Sequence, residues 1–136
     1  MSVPDIALPD YAATIGAAID RWDGDRPVLA IGYADTLCGN PGMFHGGVVA
    51  SLLEMAAVAT LEASLASQGA GGEASPVNTT VEYLRMAGEQ RTFASARTVR
   101  AGRRLANVQS ILWQESEDKP VATAIVNIEI RQSRTA

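Results

Sequence analysis

The run from Gly46 to Ser67, "GGVVASLLEMAAVATLEASLAS", constrains the fold more than any other stretch of the chain. It is rich in Ala and Leu, opens on two glycines and ends before the glycine-rich break "SQGAGGEAS", so it reads as one helix over 46–67. Apolar residues lie on almost every face of that helix instead of along one stripe, which predicts a helix enclosed by other structure. Glu54 interrupts it. No uncharged apolar stretch reaches the about 18 residues of a bilayer span, so a domain core, not a membrane, is the expected surrounding.

What could enclose it follows in the chain. "TFASARTVRA", "RLANVQSILWQ" and "PVATAIVNIEI", preceded by "PVNTTVEYLRM", alternate apolar and polar residues at period two, the pattern of half-buried strands, here placed over 76–132. Their joins, "RAGRR" and "ESEDK", are short, which predicts antiparallel neighbours. Upstream, "RPVLAIGYAD" reads as a strand. In "LPDYAATIGAAIDRWDG" the residues Leu8, Tyr11, Ile15, Ile19 and Trp22 recur at spacings of three and four, which predicts an amphipathic helix within residues 1–24, with Pro9 in its first turn and Gly24 as its stop. One long helix against an antiparallel sheet is an α+β architecture. With 136 residues, 47% of them apolar, and no internal repeat or linker, the expectation is a single domain over 1–136. Its open sheet edges predict self-association, as a homodimer or homotetramer.

Composition narrows the chemistry. One cysteine, Cys38, and one histidine, His45, leave neither an internal disulfide nor a cysteine- or histidine-rich metal centre, so the expected site holds no metal. A net charge of −4 argues against a nucleic-acid partner, which wants a basic face. The opening "MSVPDIALPDYAATIG" lacks the basic region and apolar run of a secretory signal, giving a cytoplasmic expectation. Positive charge is nevertheless concentrated: Arg97, Arg100, Arg103 and Arg104 fall close together. Two readings stand for these arginines, solvated strand ends or, for Arg100, Arg103 and Arg104 with Arg85 as a lesser candidate, contacts to the phosphates of a ligand at a pocket mouth.

Glu54 also has two readings. A carboxylate in an apolar helix is disfavoured by several kcal/mol unless paired or solvated, so it either meets solvent or a cation such as Arg85, or it serves as general base or nucleophile. His45, Gly46 and Gly47 weigh toward the second reading. A helix opening on Gly46-Gly47 offers free N–H groups and the positive end of the helix dipole to a carbonyl oxygen acquiring charge. No G-x-S-x-G elbow occurs, and Cys38, lacking an evident base, reads as a packing or loop residue.

"NPGMFHGGVVASLLEMAAVA" resembles the signature of PaaI-type hotdog thioesterases: an Asn or Gln, then His-Gly-Gly, then an acid nine residues after the His, here Glu54. "VNTTVEYLRMAG", "ARTVRAGRRLANVQSIL" and "KPVATAIVNIEI" extend the likeness over nearly the whole chain from about residue 28. The resemblance implies a hotdog fold, an antiparallel sheet wrapped round one long helix, and hydrolysis of acyl-CoA thioesters to free acid and coenzyme A, with coenzyme A entering as part of the substrate and no cofactor. It implies that the Gly46 amide polarises the thioester carbonyl, that Glu54 is base or nucleophile, that Asn40 orients the carboxylate or water, and that His45 positions the loop. It further implies a pocket completed across a dimer interface, where a hydroxyl on the second strand assists. Pro76 stands at the matching position, between Ser75 and the later Thr79, and Val58 stands where some relatives carry a hydroxyl. These departures permit an alternative, a hotdog protein that binds acyl-CoA or an aromatic ligand without turnover. A hydratase on the same fold would want a His-Phe-Pro-type segment, which is missing. The acyl group is not set by the sequence.

Overall fold

The computed structural model describes residues 3–69 and 72–132; residues 70 and 71 of the glycine-rich break, and the outermost residues of the expected 1–136 domain, lie outside the described residues. A short helix α1 (Asp10–Ile15) leads into β1 (Ala17–Asp23) and β2 (Arg26–Ile31); a 3-10 turn over Asp35–Leu37 and a loop precede the long helix α2 (Gly46–Ser67), and β3 (Gly72–Tyr83), β4 (Thr92–Ala101), β5 (Leu105–Trp113) and β6 (Ala122–Gln132) complete the chain. The six strands form one antiparallel sheet in the order β1-β2-β4-β5-β6-β3.

The sheet covers α2. Alternate residues of β5 and β6 (Val108, Ser110 and Leu112; Ala124, Val126 and Ile128) point inward and are buried, and α2 answers with Leu52, Leu53, Ala56, Ala57 and Leu61. Alanines at Ala94, Ala96, Ala106, Ala122 and Ala124 let the strands approach the helix closely, while each buried Leu, Ile or Val contributes roughly 1.5–3 kcal/mol of burial. Ser110, wholly buried, donates its hydroxyl to the Leu53 carbonyl at 2.8 Å, tying β5 to the helix beside Glu54. By length and composition α2 would suffice to cross a membrane, but most of it is enclosed by the sheet.

The amino-terminal expectation is corrected. Among the described residues of 1–24 only Asp10–Ile15 is helical, and Ala17–Asp23 is a strand. Gly16 adopts a left-handed conformation (φ 81°) and donates back to Ala12 and Ala13, closing the helix. Beyond it Ala17 to Asp23 pair with β2 through a tight turn at Gly24 (φ 64°), and a bulge between Ile19 and Arg21 disturbs the alternation that would have marked the strand. The carboxy-terminal strands begin at Gly72 rather than at residue 76, because β3 pairs with β6 from Gly72↔Gln132 onward.

α2 also departs from a helix enclosed all round. Ser51, Glu54, Val58, Glu62 and Leu65 are each only half-buried, and their spacing of three and four draws one stripe down the helix. Glu54 therefore sits at the margin of the core, not within it.

Candidate active site

The loop before α2 is pinned on both sides: Phe44 N–H donates to the Ala87 carbonyl and His45 N–H to the Leu37 carbonyl, each at 2.8 Å. His45 then caps the helix, its Nδ1 accepting from the Gly47 N–H at 2.9 Å. That bond places the ring proton of a neutral His45 on Nε2 and commits His45 to holding the helix start. A Cβ at Gly47 would stand 3.0 Å from Nδ1, so a side chain there would push the ring back and loosen the cap. The Gly46 N–H, by contrast, has no acceptor among the described residues. The first amides of a helix point outward along its axis, so this free donor is available to an incoming oxygen.

Tyr83, at the end of β3, donates its hydroxyl to the Gly46 carbonyl at 2.8 Å. Tyr83 is absent from the sequence-based site. Its signal was available: Thr79, Val81 and Tyr83 share one face of a strand, so an inward Thr79 brings Tyr83 with it.

Glu54 meets Thr79. The Thr79 hydroxyl donates to Glu54 Oε2 at 2.7 Å, a part-buried bond between α2 and β3. A register shift between Pro76 and Asn78 makes this possible. The extra residue, Val77, resets the alternation, so Thr79 rather than Asn78 faces the helix; Asn78 instead accepts from Asn127, which in turn pairs with Asn107, in a ladder of amides on the far face. The hydroxyl missing at Pro76 is thus supplied three residues later. Proline within a strand marks an edge or a bulge, and that was the readable clue.

The remaining candidates lie elsewhere. Ser75 pairs with Glu129, whose neighbours Ile128 and Ile130 are buried inward; alternation turns Ser75 to the outer face, away from Glu54. Asn40 is exposed in the loop, where its carbonyl accepts from Cys38 Sγ at 2.7 Å and from Met43 N–H, and its side-chain amide takes no hydrogen bond among the described residues. Arg100, near the end of β4, and Arg103 and Arg104, in the β4–β5 turn, lie where the register aligns with the Ser75 end of β3. Gly46 lies at the Tyr83 end, roughly 25 Å away along the strand. Within one chain the structure does not bring these arginines to Gly46. Arg85, two residues past Tyr83 and exposed, is at the Gly46 end.

A cavity of about 330 Å³ opens beside Glu54, lined by Glu54, Met55, Val58 and Glu62 of α2, by Ala74 and Pro76 of β3, and by the segment before α1. Its mixed apolar lining with one hydrogen-bonded carboxylate is the makeup of a small-molecule site. The hydroxyl bond occupies Oε2 and leaves Oε1 without a partner among the described residues, so one oxygen is held and the other is open to a ligand. Such a carboxylate can take a proton from water or attack an electrophilic carbon directly.

Residues 36–128 match the family model described as acyl-CoA thioesterase N-terminal domain. No curated protein matches the chain in sequence. Among solved structures, the chain is similar to a putative thioesterase from Ralstonia eutropha described as phenylacetic acid degradation-related, at 26% identity and TM-score 0.77, covering 91% of this chain and 92% of that one. A putative esterase from Mycobacterium tuberculosis aligns at 22% identity and TM-score 0.81, over 92% and 98% of the two chains. A thioesterase from Haemophilus influenzae aligns at 18% identity and TM-score 0.80, over 90% and 82%. The six-stranded sheet round one long helix is the hotdog fold of these structures.

Proposed function

The chain belongs to the acyl-CoA thioesterase family whose model it matches over residues 36–128, and from that premise we propose that it hydrolyses acyl-CoA thioesters to the free acid and coenzyme A. The observation that carries this reading is the Thr79–Glu54 hydrogen bond at the mouth of a cavity on a helix whose Gly46 amide is unused. Glu54 Oε1 either removes a proton from water as the water oxygen bonds to the thioester carbon, or bonds to that carbon itself to give an anhydride that water then opens. In both, the C–S bond breaks and the electron pair leaves on the coenzyme A sulfur. The Gly46 N–H receives the carbonyl oxygen as it gains negative charge. No cofactor enters, and coenzyme A takes part only as substrate. Arg85 is the arginine best placed for its phosphates within one chain, and Arg100, Arg103 and Arg104 reach it only from a second copy.

The second copy is part of the proposal. Gly46 and Glu54 are eight residues apart on one helix, about 12 Å along its axis, more than one thioester group spans. β3 is an edge strand on which Val77 and Tyr83 are exposed, as are Leu84 and Met86 just after it, and the half-buried stripe of α2 lies next to it. A homodimer, or a homotetramer built from it, covers both and sets the amide of one copy against the carboxylate of the other. The lone thiol Cys38, with no disulfide to require an oxidising compartment, supports a cytoplasmic location.

The test is release of thiol from a panel of acyl-CoAs by wild type and by Glu54→Gln. Wild type is expected to turn over, and the variant to lose about a hundredfold or more in kcat. Acyl-CoA binding with no thiol release by wild type would make the protein a binder instead, and an undiminished kcat in the variant would remove Glu54 from the mechanism.

A further inference from the structure

The cavity beside Glu54 has a second carboxylate at its other end. Glu62 lines it two turns further along α2, on the same stripe as Glu54 and Val58. Glu62 also lines a neighbouring cavity of about 460 Å³ with Asp5, Leu65 and Gly72, so it stands as the partition between the two. Glu54 and Glu62 are about 12 Å apart along the helix axis. Allowing a contact of about 3 Å at each end, roughly 6 Å remains, the length of an extended chain of about five or six carbons. Met55, Val58, Ala74, Pro76 and Leu8 form the walls between.

Apolar walls that end in an acid are unusual for a site that takes only hydrocarbon. Burial disfavours the ionised form of Glu62, and the nearby Glu73 carboxylate adds to the effect, while the Ala74 backbone N–H opposes it; together they hold the carboxyl above the usual carboxylate range. Glu62 is in no ion pair among the described residues, and Arg131, whose charge interacts with Glu73, is bonded to Glu129. A methyl group set against Glu62 would bury it further without a partner, and a second carboxylate would repel it. A hydroxyl or ammonium would satisfy it.

Resting on the thioesterase reading above, we propose that Glu62 reads the far end of the acyl group and selects chains that end in a hydrogen-bond donor over chains that end in a methyl group or a carboxylate. Glu54 carries out the chemistry at one end of the cavity. Glu62 sets which acyl groups fit at the other.

The experiment compares three acyl-CoAs of one length: hexanoyl, ω-hydroxyhexanoyl and hexanedioyl. Thiol release gives kcat/KM for wild type, Glu62→Gln and Glu62→Leu, and calorimetry gives Kd for the same three on Glu54→Gln, where turnover is slowed about a hundredfold or more. Wild type is expected to favour the hydroxylated chain about tenfold over the plain one, the return for one hydrogen bond to a carboxylate, and to take the diacid least well. Glu62→Leu should reverse the first preference. Glu62→Gln, whose amide oxygen still accepts, should keep it while losing the rejection of the diacid. The three Kd values on Glu54→Gln should follow the wild-type order. Equal kcat/KM values for the three substrates in wild type, or ratios unchanged in Glu62→Leu, overturn the proposal even when hydrolysis is brisk. If no acyl-CoA releases thiol, hydrolysis fails as the function, and the Kd order alone decides on Glu62, with equal values rejecting it.

Discussion

Replacing Thr79 with Val removes one hydroxyl from the site and little else. The side chain keeps its shape and its strand preference, and Thr79 lies on an edge strand, half-buried, so folding stability should fall by about 1.5 kcal/mol, the worth of the lost hydrogen bond, and by little more. What disappears is the 2.7 Å bond to Glu54 Oε2. A hydrogen bond to a charged group contributes about 1.5–3 kcal/mol, and the lower end applies here because water reaches part of the site. If that bond aims Oε1 at water or at the thioester carbon, losing it costs the reaction step, not the binding of substrate. At 1.36 kcal/mol per factor of ten, kcat should fall about tenfold with KM within about twofold. Thr79→Ser, which restores the hydroxyl, should recover most of the loss. Thiol release measured at saturating and limiting acyl-CoA gives both constants. A kcat for Thr79→Val within about twofold of wild type, or a Thr79→Ser as slow as the Val variant, would refute the argument that this bond orients the carboxylate.

Three further outcomes follow from the geometry. The carboxyl of Glu62 is raised above 4.5 in the folded chain by burial and by Glu73, so the native state binds that proton more tightly than the unfolded state. Its destabilising effect is complete above the folded value and fades as pH falls toward 4.5; melting curves of wild type and Glu62→Gln should therefore differ most near about pH 8 and converge near about pH 4. Ser110→Ala deletes the buried bond to the Leu53 carbonyl, which should cost about 1 kcal/mol and lower Tm by roughly 3–5 °C in a thermal melt. Gly47→Ala places a Cβ 3.0 Å from His45 Nδ1; the displaced cap should cost about 1 kcal/mol, and thiol release should slow several-fold as the Gly46 amide moves with it.

The parts of this fold that sequence reveals are those with an undisturbed period. β5 and β6 alternate cleanly, and α2 is long, rich in helix formers and bounded by glycines, so the hotdog arrangement was open to reading even though β4 carries a register shift between Thr98 and Arg100. β1 was not. Its apolar residues Ile19 and Trp22 straddle a bulge, and with Leu8, Tyr11 and Ile15 they imitate a helical stripe across Gly16, although Tyr11 is exposed and Gly16 ends the helix. A single left-handed glycine outweighed five residues of apparent periodicity.

The site follows the same logic from the other side. His45, Gly46 and Glu54 are legible because their roles depend on the order of residues along one helix: a cap, a free amide and an acid further down. Thr79 and Tyr83 depend on which way a strand turns, and that direction is reset at Val77. Counting alternation from the buried Ile128–Ile130 register through Pro76 without the bulge would point Asn78 at Glu54 and Thr79 away from it. The amide ladder from Asn78 to Asn127 and Asn107 shows the consequence of the shift, because three polar side chains then satisfy one another on the outer face. The bulge thus sorts hydroxyl from amide: it puts the smaller donor, which can bond one carboxylate oxygen and leave the other open, against Glu54, and sends the larger amide to the far face. Pro76, which lacks an N–H and is suited to an edge strand, sits at the start of that shift, so the residue that seemed to leave Glu54 without a hydroxyl marks the place where the chain supplies one.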